Sequence, residues 1–448
     1  MSVTGTIAAD ELRRRVDSGE VHTVLLAFVD VQGRLQGKRC AGRYFVDEVL
    51  AHGSSACDYL LAVNVEMEPQ TGFALSGWEQ GYGDFALVPD PATIRAAGWR
   101  DGTVVCLADA VHRDGTAVAP SPREVLRRQL GRLAARGWTA RVATELEFIV
   151  HREPYDEAWR RGYRDLTPGN RYNVDYSLLG SAELDPFLDR LVGALGASGV
   201  AVETVKGEAN LGQHEINLRY DEALAAADTH AFYKHTVKET ARAEGLSATF
   251  MAKWNEREGN SCHLHFSLVD AAGRSVFEAR PELLDRFVAG QLATQRELTL
   301  AFAPNVNSYK RYAVGSFAPT AIAWGEDNRT CAVRVLGSGA GRRFENRVAG
   351  ADVNPYLLVA AVVAAGLHGV DHDLPLPAAE TSNAYLADHE RLPADLGTAI
   401  GLFRSSGVAA EAFGAEVVAH YVRAAEVELA DFSRAVTDWE RFRGYERL

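Results

Sequence analysis

The stretch Ala143-Thr-Glu-Leu-Glu-Phe-Ile-Val150 alternates with a period of two. Glu145 and Glu147 fall on one side of an extended chain, and Leu146, Phe148 and Val150 on the other. A half-buried strand ordinarily turns such a polar face to water. Here the same design recurs along the chain. Gln213, Glu215 and Asn217 share a face backed by Ile216 and Leu218, and His263, His265 and Ser267 lie opposite Leu264, Phe266 and Leu268. Arg334 lies opposite Val333 and Val335, and Arg343, Glu345 and Arg347 alternate with Phe344. Gathered into one curved sheet, these strands have an apolar back and a front of Glu, His and Arg. That front is a polar cleft over a hydrophobic core.

The chain is long enough for this: 448 residues with 47% hydrophobic content can bury a large core. A net charge of −13 argues against a nucleic-acid surface and suits a cytoplasmic enzyme. The five cysteines are scattered with no CxxC pair, as expected of reduced thiols rather than a disulfide framework or zinc site. The first residues carry no basic-then-apolar signal. The longest apolar run, Tyr356 to Leu367, is too short for a membrane span and reads as a buried helix.

In chain order, residues 8–19 read as a helix and Val21–Val31 as a strand. The turn Asp30-Val-Gln-Gly33 leads to a second strand. A helix near Val46–His52 and strands at Tyr59–Val65, Phe85–Val88 and Thr103–Ala108 complete a small α+β unit, residues 1–112. The polar segment Ala110–Pro120 separates it from a large unit, residues 113–448. Ser121-Pro-Arg-Glu124 has the form of a capping box opening a helix that ends at Gly137. Arg152–Asn173 is polar, aromatic and loop-rich, a lid or a surface excursion. Pro186–Ser198, Tyr220–Glu244, Pro281–Ala303 and the segment from Asn354-Pro355 read as helices, and Glu411–Phe442 as helix throughout.

The polar front carries the chemistry. Glu145, Glu147, Glu208, Glu215, Glu345 and His263 are candidate cation ligands. Two carboxylates about 5 Å apart repel by roughly 3 kcal/mol at an effective dielectric near 20, so several in one cleft require cations or arginines. Any one of these glutamates alone fits a salt-bridged strand position better than a metal ligand; the set points to metal. Oxygen-rich sites with one imidazole suit Mg2+ or Mn2+ rather than zinc. Arg311, Arg329, Arg334, Arg343 and Arg347 supply forks for carboxylate and phosphate. Metals and arginines in one cleft imply phosphoryl transfer, hence a nucleotide-dependent enzyme acting on an acidic substrate.

At these residues the chain resembles the glutamine synthetase family, along essentially its whole length. The matching stretches are Glu145-Leu-Glu147, Gly212-Gln-His-Glu215, Gly259-Asn-Ser-Cys-His-Leu-His-Phe-Ser267, Asn307-Ser-Tyr-Lys-Arg311, Asn328-Arg329, Arg343-Phe-Glu-Asn-Arg347 and Asn354-Pro-Tyr356. The resemblance implies an α+β fold: a small β-grasp amino-terminal domain, and a catalytic domain whose curved antiparallel sheet is flanked by helices. It also implies stacked hexameric rings, usually a dodecamer, using ATP and two to three Mg2+ or Mn2+ ions per site. Carried over by position, Glu147, Glu208 and Glu215 match the ligands of one metal, and Glu145, His263 and Glu345 those of another. Gly259, Arg311 and Arg347 match glutamate-holding positions. Glu203, His265 and Ser267 match nucleotide contacts, and Arg329, Arg334 and Arg343 the arginines around the phosphates, with Arg329 and Arg334 catalytic.

Departures from the family pattern bear on the nucleophile. Glutamine synthetases read Pro-Gly-aromatic-Glu-Ala-Pro after the arginine, and that glutamate helps bind and deprotonate ammonium. Here Val314-Gly-Ser-Phe-Ala-Pro319 puts Phe317 in its place. The amino-terminal ammonium-holding motif has only a loose analogue, Gly53-Ser-Ser-Ala-Cys-Asp58, and Glu258 stands where the family has an asparagine. Dehydrated ammonium needs anionic partners, whereas an alkylamine gains roughly 0.8 kcal/mol per CH2 buried against an apolar wall. The expected reaction is therefore ATP-dependent condensation of L-glutamate with a small primary amine such as ethanolamine or methylamine, with Asp58 or Glu258 as candidate bases. The alternatives are an ordinary glutamine synthetase and a non-catalytic ring protein.

Overall fold

The computed structural model describes residues 5–448. The amino-terminal part forms a six-stranded sheet in the order Leu35–Ala41, Thr23–Val29, Thr103–Val111, Asp84–Pro89, Ser54–Cys57, with Arg95–Ala96 also paired to Thr103–Val111. The first two strands are a hairpin whose turn is held by Asp30. Its carboxylate accepts from the backbone of Gln32 and Arg34 at 3.0 and 2.8 Å, and from Arg34 Nε at 2.7 Å. Gly33 closes the turn at φ +80°, and an added Cβ would sit 3.0 Å from Asn354 Cα. Asn354 in turn donates to the carbonyl of Val31 at 3.1 Å. Glycine is thus needed twice here, for the conformation and for the close approach.

The second sheet has nine strands. Its main path runs Trp324–Glu326, Val333–Leu336, Arg343–Asn346, Cys262–Val269, Thr139–His151, Gln213–Leu218, Val202–Gly207. Asp221–Glu222 and Ser247–Thr249 pair with the two ends of the long central strand Thr139–His151. The pairs are antiparallel except at one edge, where Trp324–Glu326 runs parallel to Val333–Leu336. The apolar alternation points into one core, with Leu146, Phe148, Val150, Leu264, Phe266 and Phe344 all buried. Helix Pro355–Asp371 is buried along nearly its whole length, as an all-apolar helix should be, and packs against Pro281–Leu298.

Several local expectations are corrected. The stretch expected as a strand at Tyr59–Val65 begins as a 3-10 turn, Asp58–Leu61, and the edge strand is Ser54–Cys57. Asp58 anchors that turn by accepting from Ser76 Oγ and from the Gly83 amide, which satisfies the backbone without a ladder. The carboxy-terminal helix is broken into Gly407–Phe413, Ala415–Arg434 and Asp438–Gly444. Gly414 at φ +85° makes the first break, and a capping box from Thr437 to Glu440 restarts the last piece. Helix Pro122–Ala134 forms, but Ser121 makes no side-chain cap.

The neighbouring Arg123 holds that end of the helix instead. It is buried, with a bidentate pair to Asp228 at 2.9 and 2.7 Å and contacts to Asp109 at 2.6 Å and Asp90 at 3.0 Å. Asp228 also accepts from Tyr356 Oη at 2.6 Å. Asp90 and Asp109 belong to the first sheet's segment and Asp228 to a helix behind the second, so one guanidinium ties both. Arg123→Met is expected to lower stability by about 3–5 kcal/mol, because it strands the buried carboxylate of Asp228. Thermal unfolding checks this, and adding Asp228→Leu is expected to restore part of the loss; an unchanged Tm in Arg123→Met would contradict it.

Candidate active site

The strand register assembles the front face. Glu145 lies opposite His263 on one side and Asn217 on the other, Glu147 opposite Glu215, Glu215 opposite Lys206, and Glu345 between His265 and Arg334. Residues far apart in sequence therefore become cross-strand neighbours on one surface. Two groups of ligand atoms result, each lying within 4.8 Å of one another: Glu147, Glu208 and Glu215, and Glu145, His265 and Glu345.

His263 reaches the second group too. Its Nδ1 is 3.2 Å from Glu145 and 3.4 Å from Glu345, while its Nε2 is buried with no partner among the described residues. His265 Nε2 lies 2.8 Å from Glu145, and its Nδ1 takes a hydrogen bond from Arg343 Nε at 3.2 Å. Because Arg343 can only donate, His265 Nδ1 is the acceptor and Nε2 carries the proton toward Glu145. Both imidazoles thus address the acid cluster, where the sequence assigned only His263 to it.

The electrostatics differ between the two groups. Burial, and then the neighbouring carboxylates, push the carboxyls of Glu147 and Glu215 well above the ordinary range; burial also raises Glu208. The cation already present, Lys206, contacts Glu208 and sits 4.6 Å from the Tyr176 ring centre, and does not offset this. In the second group burial likewise opposes charge, but His263 and His265 hold Glu145 well below its usual range. Burial and Arg347 push His263 down to about 4. Three carboxyls crowded beyond what Lys206 offsets, and beside them two carboxylates facing imidazole nitrogens, are donor sets that suit a divalent cation. The oxygen-rich donor set fits Mg2+ or Mn2+.

That fit has a pH consequence. Carboxyls raised in the folded state hold protons that the unfolded chain has already lost. Metal-free stability is therefore expected to fall as pH rises from the ordinary carboxylate range through neutrality. A divalent cation displaces those protons, so Mg2+ is expected to raise Tm more near pH 8 than near pH 6. Equal shifts at both would contradict the assignment.

The arginines form the adjoining wall. Glu345 is fully buried between Arg347 at 2.5 Å and Arg334 at 3.0 Å. Arg334 also binds Asp327 at 2.8 Å through Nε. Arg311 is buried and donates to the Val348 carbonyl at 2.8 Å and Ser261 Oγ at 2.9 Å. The Nε atoms of Arg311 and Arg347 are buried without partners among the described residues, a pair of donors available to an anion. Gly259 is required beside them: a Cβ there would lie 2.3 Å from the Ala252 carbonyl and 3.0 Å from Arg311 Cγ.

Other expected residues stand further out. Ser267 continues the His263–His265 face, opposite Arg141. Glu203 is exposed at a bulge in Val202–Gly207, and Arg329 is exposed in the turn after Asp327. Phe317 is 65% exposed at φ +60°, on the loop leaving Arg311. Of the candidate bases, Asp58 is engaged by Ser76 and the Gly83 amide, and Glu258 directly precedes Gly259. The sequence reading missed Lys206, a cation at the edge of the acid cluster, and the role of Gln213. That amide spans Glu147, the Gly259 carbonyl and Asn260 at 3.0, 2.9 and 3.0 Å. A cavity of about 910 Å3 lies elsewhere, and no residue of either acid group or of the arginine wall lines it.

The chain matches known proteins along nearly its whole length. Residues 119–444 match the family model for the glutamine synthetase catalytic domain. The chain is 54% identical over 448 residues to the gamma-glutamylethanolamide synthetase GlnA4 of Streptomyces coelicolor, covering 99% of this chain and 97% of that protein. It is 34% identical over 441 residues to the glutamate–isopropylamine ligase of a Pseudomonas species, covering 96% of each. A solved GmaS–ADP complex superposes with a TM-score of 0.85 at 27% identity, covering 98% of this chain and all of the other. A full-length match in sequence and in shape, with paired acid clusters on the central sheet, leaves one conclusion: the chain belongs to the glutamine synthetase family.

Proposed function

We propose that this protein is an ATP-dependent ligase that joins L-glutamate to a small primary amine, ethanolamine first among them, giving a γ-glutamyl amide, ADP and phosphate. The observation that carries the choice of nucleophile is Phe317, an apolar ring where ammonium-using relatives place a carboxylate. The similarity to a γ-glutamylethanolamide synthetase over nearly the whole chain supports the same reading.

In this reading Arg311, Arg347 and the Gly259 backbone hold glutamate with its γ-carboxylate facing the acid clusters. Glu147, Glu208 and Glu215 hold one divalent ion, and Glu145, His263 and Glu345 another, with His265 orienting Glu145. When bound, such ions neutralise the phosphate oxygens and polarise the transferring group. The γ-carboxylate oxygen attacks the γ-phosphorus of ATP, ADP leaves, and Arg334, Arg343 and Arg329 draw off charge from the phosphoryl oxygens. Glu203 and Ser267 contact the nucleotide. The ammonium form of the amine gives one proton to a carboxylate, Asp58 or Glu258, and its nitrogen attacks the acyl phosphate carbon. As the C–N bond forms the C–O bond breaks, and phosphate departs with that bonding pair and takes up the nitrogen's second proton. Two to three Mg2+ or Mn2+ ions per site, a dodecamer of two hexameric rings, and a cytoplasmic setting complete the proposal. Five free cysteines fit that setting, and no helix among the described residues is long and apolar enough to cross a membrane.

Phosphate release with ATP, glutamate and a panel of nucleophiles tests the proposal. Ethanolamine or another short alkylamine is expected to exceed ammonium in kcat/KM by at least about tenfold, the worth of one or two buried methylenes. Ammonium as the best nucleophile would make this an ordinary glutamine synthetase, and no turnover with any amine a non-catalytic member.

A further inference from the structure

The loop that carries Phe317 is held at both ends. At its start, Ser316 Oγ donates to the carbonyls of Arg311 and Ala313 at 3.1 and 2.7 Å, closing a turn directly on the glutamate-side arginine. Phe317 then takes a left-handed backbone at φ +60°, uncommon and strained for a bulky side chain. At its end, the Ala318 carbonyl accepts a hydrogen bond of 2.9 Å from the phenol of Tyr385. The strained residue is thus bracketed by one hydroxyl on each side.

Tyr385 belongs to a strap, residues 380–392, laid along residues 318–330. Leu392 donates to the Thr320 carbonyl at 3.1 Å, Ile322 to the Glu390 carbonyl at 2.8 Å, and Arg391 reaches Thr320 Oγ1 at 3.3 Å. Arg391 also folds back on the carbonyls of Tyr385 and Ala387 at 3.2 and 2.8 Å, which fixes the tyrosine from behind. Beneath the strap lies a small core of its own, formed by Ala321, Ala323, Cys331 and Ala384. Further along, Asn328 donates to the carbonyls of Glu380 and Ser382 at 3.0 and 2.9 Å, and Thr330 Oγ1 accepts from the Ala384 amide at 3.0 Å. The strap therefore splints two functional stretches at once, the Phe317 loop and the Asn328–Arg329 turn.

We infer that Tyr385 is a positioning residue for the amine: its hydroxyl fixes the Ala318 carbonyl and thereby sets where the Phe317 ring stands as the apolar wall of the amine subsite. This rests on the proposed glutamate–amine ligase reading. Burial raises the phenol's pKa, and the charges of Arg347 and Arg311 partly oppose that rise. Without the hydroxyl, the strained Phe317 backbone is free to relax, and a ring displaced by even an ångström no longer packs on a two-carbon amine.

Tyr385→Phe deletes only the hydroxyl and tests the inference. It is expected to raise KM for ethanolamine about tenfold, from the loss of one hydrogen bond and the fit it maintains. KM for glutamate and ATP is expected to stay at the wild-type value. Ammonium, too small to use the ring, is expected to keep its kcat/KM, so the amine-to-ammonium preference falls by the same factor. In a Phe317→Ala background, Tyr385→Phe is expected to add nothing, because its effect passes through the ring. Hydrogen exchange is expected to quicken in residues 313–322 and stay unchanged in Thr139–His151. Equal losses for amine and ammonium, additive losses in the double variant, or unchanged exchange in residues 313–322 would each overturn the inference. A wild-type enzyme that itself prefers ammonium would instead refute the ligase reading. An amine-preferring wild type with an unmoved Tyr385→Phe ratio would refute the positioning role alone.

Discussion

Glu147→Ala is expected to lower turnover by at least about a thousandfold while leaving the protein folded. Glu147 accepts from the Ser261 amide at 2.7 Å and from Gln213 Nε2 at 3.0 Å, and faces Glu208 and Glu215. Gln213 keeps its bonds to Gly259 and Asn260, so the alanine strands one buried amide, a loss of about 1–3 kcal/mol. Against that, the substitution removes one of three carboxyls that already repel each other. Glu147→Gln separates the effects further, because it retains the accepting oxygen without the charge. Its metal-free Tm is expected to match or exceed the wild type's, while turnover falls as far as in the alanine variant. The stabilisation that Mg2+ or Mn2+ gives the wild type is expected to shrink in both. Near-normal turnover in either variant would remove Glu147 from the cation-binding set.

The period-two alternation made most of the front face legible, because a strand's side chains can only go up or down. Glu145 with Glu147, and His263 with His265, had to share a face once they were in strands. Strand order was not legible: nothing local says that Arg343–Asn346 lies beside Cys262–Val269, and that pairing is what brings Glu345 to His265. Nor could spacing separate His263 from His265, since both point the same way and only side-chain geometry decides what each nitrogen meets. Lys206 escaped notice because a cation within an acid motif reads as a solvated strand residue. Ser121 fits a capping box, yet the buried ion cluster of Arg123 holds that end of the helix. The bond from Tyr385 to the Ala318 carbonyl was not legible, since a phenol bonding a carbonyl depends on tertiary placement alone.

Arg334→Ala is expected to reduce kcat about a thousandfold, with KM for glutamate far less affected, as for other arginines that neutralise a transferring phosphoryl group. The guanidinium grips Glu345 at 3.0 Å and also reaches Asp327, so it spans from the buried acid cluster to the loop that carries Arg329. In the proposed reading Arg311 and Arg347 hold glutamate, and the substitution touches neither. Glu345 keeps Arg347 and His263 as partners, so the buried carboxylate is not stranded and the fold is expected to hold. Arg334→Lys is expected to recover only part of the rate, because a single ammonium cannot fork between two carboxylates and still face a phosphate. Asp327→Asn then separates catalysis from scaffolding. Asp327 is exposed and serves only to hold the outer arm of Arg334, so its loss is expected to lower kcat modestly. Were Asp327→Asn as damaging as Arg334→Ala, the arginine would be acting by bracing the loop rather than by meeting the phosphoryl group.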